Sequence, residues 1–400
     1  MKNILKNIYP YLFCLFCFVL PLDKYATAVP NIILILLLVS FPFVVKKNDF
    51  KKLVRTEVLV FSTLIAYIFI NMVLFQDYGS DITVVKKIFS AFMLLILYIP
   101  IGTTAKLNKT IILSVLVCMV VSLLNVAKFY FETGEFNFAD GGTINDILVI
   151  DRLYLGFLCV LSVIASIGLI RNNHKLLYVI NIVLCILFAL LISSRIAILL
   201  LLFLMMLLVF YSRNKKQYIF FFIGVFIITI AAFKLNKNLG ERFFYTHNSE
   251  SKKSYVELFM AWEPRVEIWG CSYKILTNKT PLLLGNGFYG TKNELVSCYK
   301  SIGKEDKRKY FIAQRFNPHN QFFDFLLSYG LIALVLFLAI FSILITKYRN
   351  SYYKMALIIT IMAFAFIESY FQRQIGGYLF AIVFILIIYP MYIPNTKQAK

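Results

Sequence analysis

Long apolar runs separated by short polar connections dominate the chain. They fall at 8–22, 26–45, 57–75, 86–101, 110–131, 148–170, 176–192, 194–211, 217–235, 321–346, 353–371 and 376–394. Most approach the ~20 residues that a helix needs to cross a ~30 Å hydrocarbon layer, and backbone groups in lipid must be satisfied internally, so the pattern predicts an all-α membrane protein of about twelve transmembrane helices. The runs at 8–22, 86–101 and 176–192 are short enough to be re-entrant. One polar interruption, 236–320, breaks the rhythm and ends in Asn317-Pro318-His319-Asn320, directly ahead of the apolar Phe322 to Leu327. The expected division is a first bundle at 1–235, a large partly helical loop at 236–320, a second bundle at 321–394 and a tail at 395–400.

Composition supports a membrane class, since 60% of the 400 residues are hydrophobic, 17% aromatic and only 15% charged. The net charge of +21 does not point to nucleic acid, because the basic residues are scattered through short connections instead of gathering on one solvated face. They read as topology signals. Lys46, Lys47, Lys51, Lys52, Arg55, Arg213, Lys215, Lys216, Lys347, Arg349 and Lys354 fall on one side with both chain ends. The opposite connections are poorer, holding Lys24, Lys86, Lys87, Lys128, Arg152, Arg195 and Arg373. The richer side is expected to be cytoplasmic, which puts both termini inside and the large loop in the periplasm or cell exterior.

Cys14, Cys17, Cys118, Cys159 and Cys185 lie in apolar runs, where free thiols act as small hydrophobes. Cys271 and Cys298 share the large loop, and an oxidising compartment leaves them open to a bridge if their Cα atoms come within ~7 Å. Lys2 and Lys6 ahead of an apolar stretch, with Ala26-Thr27-Ala28 beyond, imitate a secretory signal. The intervening Pro21, Asp23 and Lys24 favour an uncleaved first span. Two glycosylation-like triplets, at Asn108 and at Asn278-Lys279-Thr280, are short enough to arise by chance.

Three residues stand out for chemistry. Arg195, in Ser193-Ser194-Arg195-Ile196-Ala197, lies between two apolar runs with no room for a loop. An arginine deep in the bilayer costs ~2.5–3.5 kcal/mol, so either an anion meets it or it snorkels from the end of a span. Arg265 follows Pro264 at the start of an expected amphipathic helix carrying Val266, Trp269, Tyr273 and Leu276, and is either a ligand for an anion or a solvated charge. Glu263 and Glu267, four apart, are weak candidates for an acid/base pair. His319 is either a cap or a base, because imidazole is the side chain that changes protonation near neutral pH. His174 and His247 lie in polar stretches. Leu284-Gly285-Asn286-Gly287 matches no phosphate-loop fingerprint and reads as a turn. No Asp-x-Asp and no metal-ligand spacing occurs, so arginine, whose planar fork matches phosphate oxygens, is the expected partner for an anionic leaving group.

These motifs in this order resemble the O-antigen ligase and polymerase superfamily: Ser193-Ser194-Arg195, Pro264-Arg265 with Trp269, Gly285-Asn286-Gly287, Pro318-His319-Asn320 and Tyr329-Gly330-Leu331. The motifs cover about 190–345, and Glu368, Arg373 and Gly376-Gly377 look like the family's later region. The resemblance implies a GT-C-type glycosyltransferase of the bacterial inner membrane, working without a metal or cofactor on the outer face. Its donor would be an undecaprenyl diphosphate-linked glycan and its acceptor lipid A-core or another glycan. His319 would be the base and Arg195 and Arg265 the diphosphate ligands, with Asn320, Asp324, Arg152 and Arg373 in support. Many members carry an acidic residue just before the glycine that follows the histidine motif, where this chain has Ser328-Tyr329. Asp324 is the nearby substitute, and the carboxylate that orients His319 stays unassigned. Transfer to lipid A-core is the leading expectation, polymerisation on the same carrier the close alternative, and transport of an anionic lipid or solute the third. Arg195, Arg265 and His319 are expected to converge around one pyrophosphate.

Overall fold

The structure, a computed structural model, describes residues 2–134, 141–170, 175–235, 237–244, 254–278 and 281–392. His174, His247, Lys279-Thr280 of the second triplet and the tail lie outside the described residues. No strand occurs among those described. The first bundle comprises α1 (Lys2–Val19), α2 (Asp23–Ala26), α3 (Val29–Val44), α4 (Thr56–Phe75), α5 (Tyr78–Tyr98), α6 (Ala105–Thr133), α7 (Gly141–Ile147), α8 (Arg152–Leu169), α9 (Lys175–Leu191), α10 (Arg195–Tyr211) and α11 (Lys215–Leu235). The polar insert holds α12 (Lys237–Phe244), α13 (Tyr255–Trp262), α14 (Pro264–Asn278), α15 (Gly287–Tyr299) and α16 (Glu305–Gln314). Then come α17 (Gln321–Tyr348), α18 (Tyr352–Ile367), a 3-10 turn at Tyr370–Gln372 and α19 (Gln374–Ile388).

Among the described residues six stretches are long and apolar enough to cross a membrane: Ile4–Leu22, α4, α6, α8, α11 and α17. The apolar helices α3, α9, α10, α18 and α19 are shorter, at 10–17 residues. The run expected at 86–101 forms only the later part of α5, whose first turns carry Asp81. The run expected at 353–371 stops early. Its helix ends at Ile367, and Glu368 to Arg373 leave the helical path through the 3-10 turn. That departure places a carboxylate and a guanidinium at the end of a span instead of inside it.

The core sits around α8 and α19. In α8, 83% of the apolar window is buried, against 11% in α11, and every residue from Gly376 to Ile388 in α19 is buried. Small residues make this closeness feasible without a hydrophobic drive between helices. A Cβ on Gly156 of α8 would come 2.3 Å from Ser194 Oγ and 3.0 Å from Ala197 Cβ, so glycine there lets the start of α10 approach α8.

α17 is interrupted at Gly330, which adopts φ 73° and ψ −171°. A break inside a membrane helix frees backbone groups that lipid cannot satisfy. Here the turn before α15 supplies the partners: the Leu331 amide donates to the Leu282 carbonyl at 2.8 Å, and the Leu327 carbonyl accepts from the Asn286 amide at 2.8 Å. Tyr67 Oη of α4 donates to the Leu283 and Tyr329 carbonyls, at 3.0 Å each. The two strands of backbone touch so closely that a Cβ on Gly330 would lie 2.2 Å from the Leu283 oxygen. The glycine turn in the insert is thus a clamp on the helix that follows His319.

The insert builds a small core from Ile268, Cys271, Ile275, Leu295, Tyr299 and Phe311, packed on Leu327 of α17. α14 is helical as expected, but its inward face is Ile268, Cys271 and Ile275, while Tyr273 is exposed. Of the expected stripe, Trp269 and Leu276 pack against this core while Tyr273 does not, because α15 and α17 cover the face that carries Ile268, Cys271 and Ile275. Cys271 and Cys298 are bridged, with Cα atoms 5.8 Å apart, and join α14 to α15.

Gly330→Ala should lower the unfolding temperature in detergent, the strain at positive φ alone costing about 1–3 kcal/mol. Gly290→Ala, in the first turn of α15 with only Asn286 Cβ at 3.4 Å, should be neutral or slightly stabilising. Equal melting of the two variants contradicts the clamp.

Candidate active site

Residues distant in sequence meet where α10, α17 and α19 begin and α18 ends. Arg195 is the first residue of α10, after a turn in which Ser193 takes φ 52°. It therefore lies at the end of a span, and an anion does meet it: Arg195 Nη2 donates to Glu263 Oε2 at 3.0 Å. The other oxygen of the same carboxylate accepts from Arg265 Nη1 at 2.9 Å. Glu263 and Arg265 flank Pro264 at the start of α14, so the helix entry that proline favours sets both side chains toward α10. Arg265 Nε also donates to the Ile367 carbonyl at 3.2 Å, which ties the insert to the end of α18.

One residue further on, Glu368 Oε2 lies 3.1 Å from His319 Nδ1. The chain approaches His319 through Asn317, whose Oδ1 accepts from the His319 amide at 2.9 Å, and through Pro318, whose carbonyl accepts from Trp269 Nε1 at 3.2 Å. His319 itself takes φ 44°, in the left-handed region that a non-glycine residue occupies only when its surroundings hold it there. Asn320 then caps α17, its Oδ1 accepting from the Phe322 and Phe323 amides at 2.9 and 3.0 Å. The Asn320 amide donates to Ser369 Oγ at 3.2 Å, which fixes the start of α17 against the residue after Glu368.

Burial works against charge on Glu368, but the His319 ring, Arg265 and Arg373 overcome it and hold its carboxyl below the usual carboxylate range. A carboxylate only accepts hydrogen bonds, so the proton of a neutral His319 belongs on Nδ1 and the lone pair on Nε2. The His319 side chain is 25% exposed, Arg195 22% and Arg265 24%, whereas Glu263 and Glu368 are buried. The exposed edge of the cluster is cationic and basic, with its carboxylates behind.

The supporting candidates separate. Asp324 is fully buried and does not reach His319; it accepts from Gln321 Nε2 at 3.2 Å and from Gln372 Nε2 at 3.1 and 3.2 Å. It sits in the first turn of α17, facing the 3-10 turn, while His319 precedes the helix and turns toward α18. Glu368 is the carboxylate that orients the histidine, not Asp324. Arg373 pairs with Asp151 at the start of α8 and lies 5.0 Å over the Tyr154 ring. Arg152 is buried at the first position of α8, its amide donating to Asn145 Oδ1 at 2.9 Å. Neither contacts His319 directly. Among the described residues no group of three or more His, Cys, Asp or Glu has metal-binding geometry.

Glu263 and Glu368 are the residues that sequence reasoning underused. Glu263 had a signal in its place beside Pro264-Arg265, but its partner on α10 is 68 positions away. Glu263→Gln removes the charge between two guanidinium groups and should cost about 3 kcal/mol of stability, the scale for breaking a buried pair. Thermal unfolding of purified protein in detergent measures this, and an unchanged midpoint contradicts the shared pair.

Residues 180–338 match the family model described as O-Antigen ligase. No curated protein matches the chain. The matched stretch runs from α9 into α17 and contains Arg195, Glu263, Arg265 and His319, the residues that meet at this site, and over that stretch the chain is similar to the O-antigen ligase family.

Proposed function

We propose that the chain is an O-antigen ligase-type glycosyltransferase that moves a glycan from undecaprenyl diphosphate to lipid A-core at the periplasmic face of the inner membrane. The observation that carries this is the His319–Glu368 pair at 3.1 Å, joined through the Ile367 carbonyl to an arginine pair on one carboxylate. A lipid-borne diphosphate sits at headgroup depth, which is where span ends lie. The Cys271–Cys298 bridge in the insert fits an oxidising compartment on the same side.

In this reaction His319 Nε2 takes the proton of the acceptor hydroxyl. The hydroxyl oxygen attacks the anomeric carbon of the donor glycan, the bond from that carbon to the diphosphate oxygen breaks, and undecaprenyl diphosphate leaves with the bonding pair. Glu368 holds the Nδ1–H tautomer and stabilises the imidazolium as it forms. Arg195 and Arg265 face the charge that grows on the departing diphosphate, and only an interaction stronger at that stage accelerates the step. Glu263 sets the two guanidinium groups side by side. Asn320 and Asp324 support the site through the start of α17 and the turn at Tyr370–Gln372.

Transfer assayed in membranes at equal protein level should be lost in His319→Ala, general-base assistance being worth ~10²–10⁴ in rate. Arg195→Ala and Arg265→Ala should each fall about tenfold or more per 1.4 kcal/mol of lost stabilisation, with lysine restoring only part. A fully active alanine variant removes that residue from the site. Movement of an anionic solute or lipid into liposomes, unaffected by His319→Ala, would instead support transport.

Chromosomal deletion separates ligation from polymerisation when surface glycolipid is resolved by gel. Loss of all long chains from lipid A-core, with polymer accumulating on its carrier, is the expected outcome. Single repeat units remaining on lipid A-core, with chain length lost, would make the enzyme a polymerase.

A further inference from the structure

Beside the Gln372 carbonyl lies a group of cations that the transfer chemistry above does not use. Lys87, in α5, is half-buried and donates from Nζ to the Gln372 carbonyl at 2.6 Å. Its neighbours are unfavourable: Lys292 of α15 and Arg373 both act on it as like charges. α15 is brought there by Asp81 of α5, which accepts from the Phe288 and Tyr289 amides at 2.9 and 2.8 Å, one turn before Lys292. Arg373 has Asp151, but among the described residues no carboxylate pairs with Lys87 or Lys292. Taking an ammonium partly out of water beside two other cations raises the energy of the empty site, and an anion arriving there would relieve it.

The cluster lies close to the reacting groups. Six residues, Glu368 to Arg373, run across the start of α17 with the carboxylate on His319 at one end and Arg373 at the other. Glu368 feels the charge of Arg373 directly. Arg265 acts on the same carboxylate, so Glu368, which holds His319, has an arginine of each group beside it.

We propose that Lys87, Lys292 and Arg373 form a second anion subsite, separate from Arg195 and Arg265, that holds a phosphate or carboxylate on the sugar receiving the glycan. The inference rests on the transfer reaction proposed above and adds to it that the acceptor is recognised by its charge. Two lysines are point-charge donors without a planar fork, which suits an anion whose orientation varies. The reacting hydroxyl would be brought to His319 by its neighbour's charge and not by contacts to the hydroxyl itself.

The test uses the full chain in phosphatidylcholine nanodiscs with carrier-linked glycan as donor. Three acceptor glycolipid preparations are compared: untreated, phosphatase-treated and carbodiimide-amidated. Lys87→Gln/Lys292→Gln should raise the acceptor KM about tenfold, equivalent to ~1.4 kcal/mol, with kcat and donor KM unchanged within about twofold. Wild type should show the same rise on whichever treated acceptor has lost the recognised group, and the double variant should lose nothing further on it. Equal loss on charged and neutralised acceptors, or no change in KM, overturns the subsite. If phosphatidylglycerol discs abolish the dependence on acceptor charge, the cations bind lipid headgroups and the inference fails. Lys292→Gln alone, at an exposed position, should give a smaller rise of the same kind if the double variant does not fold. Should wild type transfer to no acceptor, the proposed reaction fails separately. Binding of radiolabelled acceptor to wild type and variant then decides the subsite, equal binding overturning it.

Discussion

The carboxylate of Glu263 lies between the guanidinium groups of Arg195 and Arg265, and the arrangement of the site follows from that contact. Charges at the edge of a membrane are costly unless paired, and each pairing here also joins elements that sequence keeps apart. Glu263 links the insert to α10, and Arg265 carries the link to the end of α18. Glu368 passes it to His319, and Asp151 with Arg373 closes α8 onto the start of α19. The opposite end of the bundle is tied in a similar way, with Lys347 Nζ 2.9 and 3.0 Å from the two oxygens of the buried Glu57.

These pairs also explain why the insert is not an appendage. α14 is held by its arginine at one end and by Trp269 on the Pro318 carbonyl along its length. α15 is held by Asp81 at its start and by the bridge to Cys271 near its end. Between them the glycine turn locks onto Gly330. The imidazole therefore rests on a helix start gripped from both sides, which is how its φ of 44° is maintained. Two of the three positive-φ non-glycine residues among those described sit at or beside candidate site residues. Strain of that kind persists where surrounding contacts over-determine the backbone.

Much of this was legible from residues alone. The apolar runs marked the helices because burial and length both follow from hydropathy, and an arginine between two runs called for either an anionic partner or a place at the end of a span; it has both. What could not be read was pairing across long separations. Nothing local to Glu368 distinguishes a carboxylate aimed at His319 from one in solvent, and Asp324 looked closer only because it is closer in sequence. Helix geometry reverses that order: Asp324 turns with α17 toward Gln372, while Glu368 sits where α18 has stopped. Tyr273 was misplaced in the α14 stripe for a related reason, since a short helix with apolar residues on more than one side is oriented by what covers it.

The order of the pairs bears on how donor and acceptor could share the site. On the proposed reaction the two arginines must meet the diphosphate while Glu263 stays between them, so the carboxylate offsets part of the charge available for binding. That offset is consistent with catalysis. A site that held the diphosphate as tightly before cleavage as after would lower KM without raising kcat. By accepting one N–H from each guanidinium, Glu263 keeps both forks fixed, and preorganised donors need little rearrangement when charge develops on the leaving group. Among the described residues Lys87 and Lys292 have no such carboxylate, which suits the proposed ground-state recognition of the acceptor, where full charge is an advantage. On both proposals, the difference between a compensated pair and an uncompensated one is what separates the leaving-group side of His319 from the acceptor side.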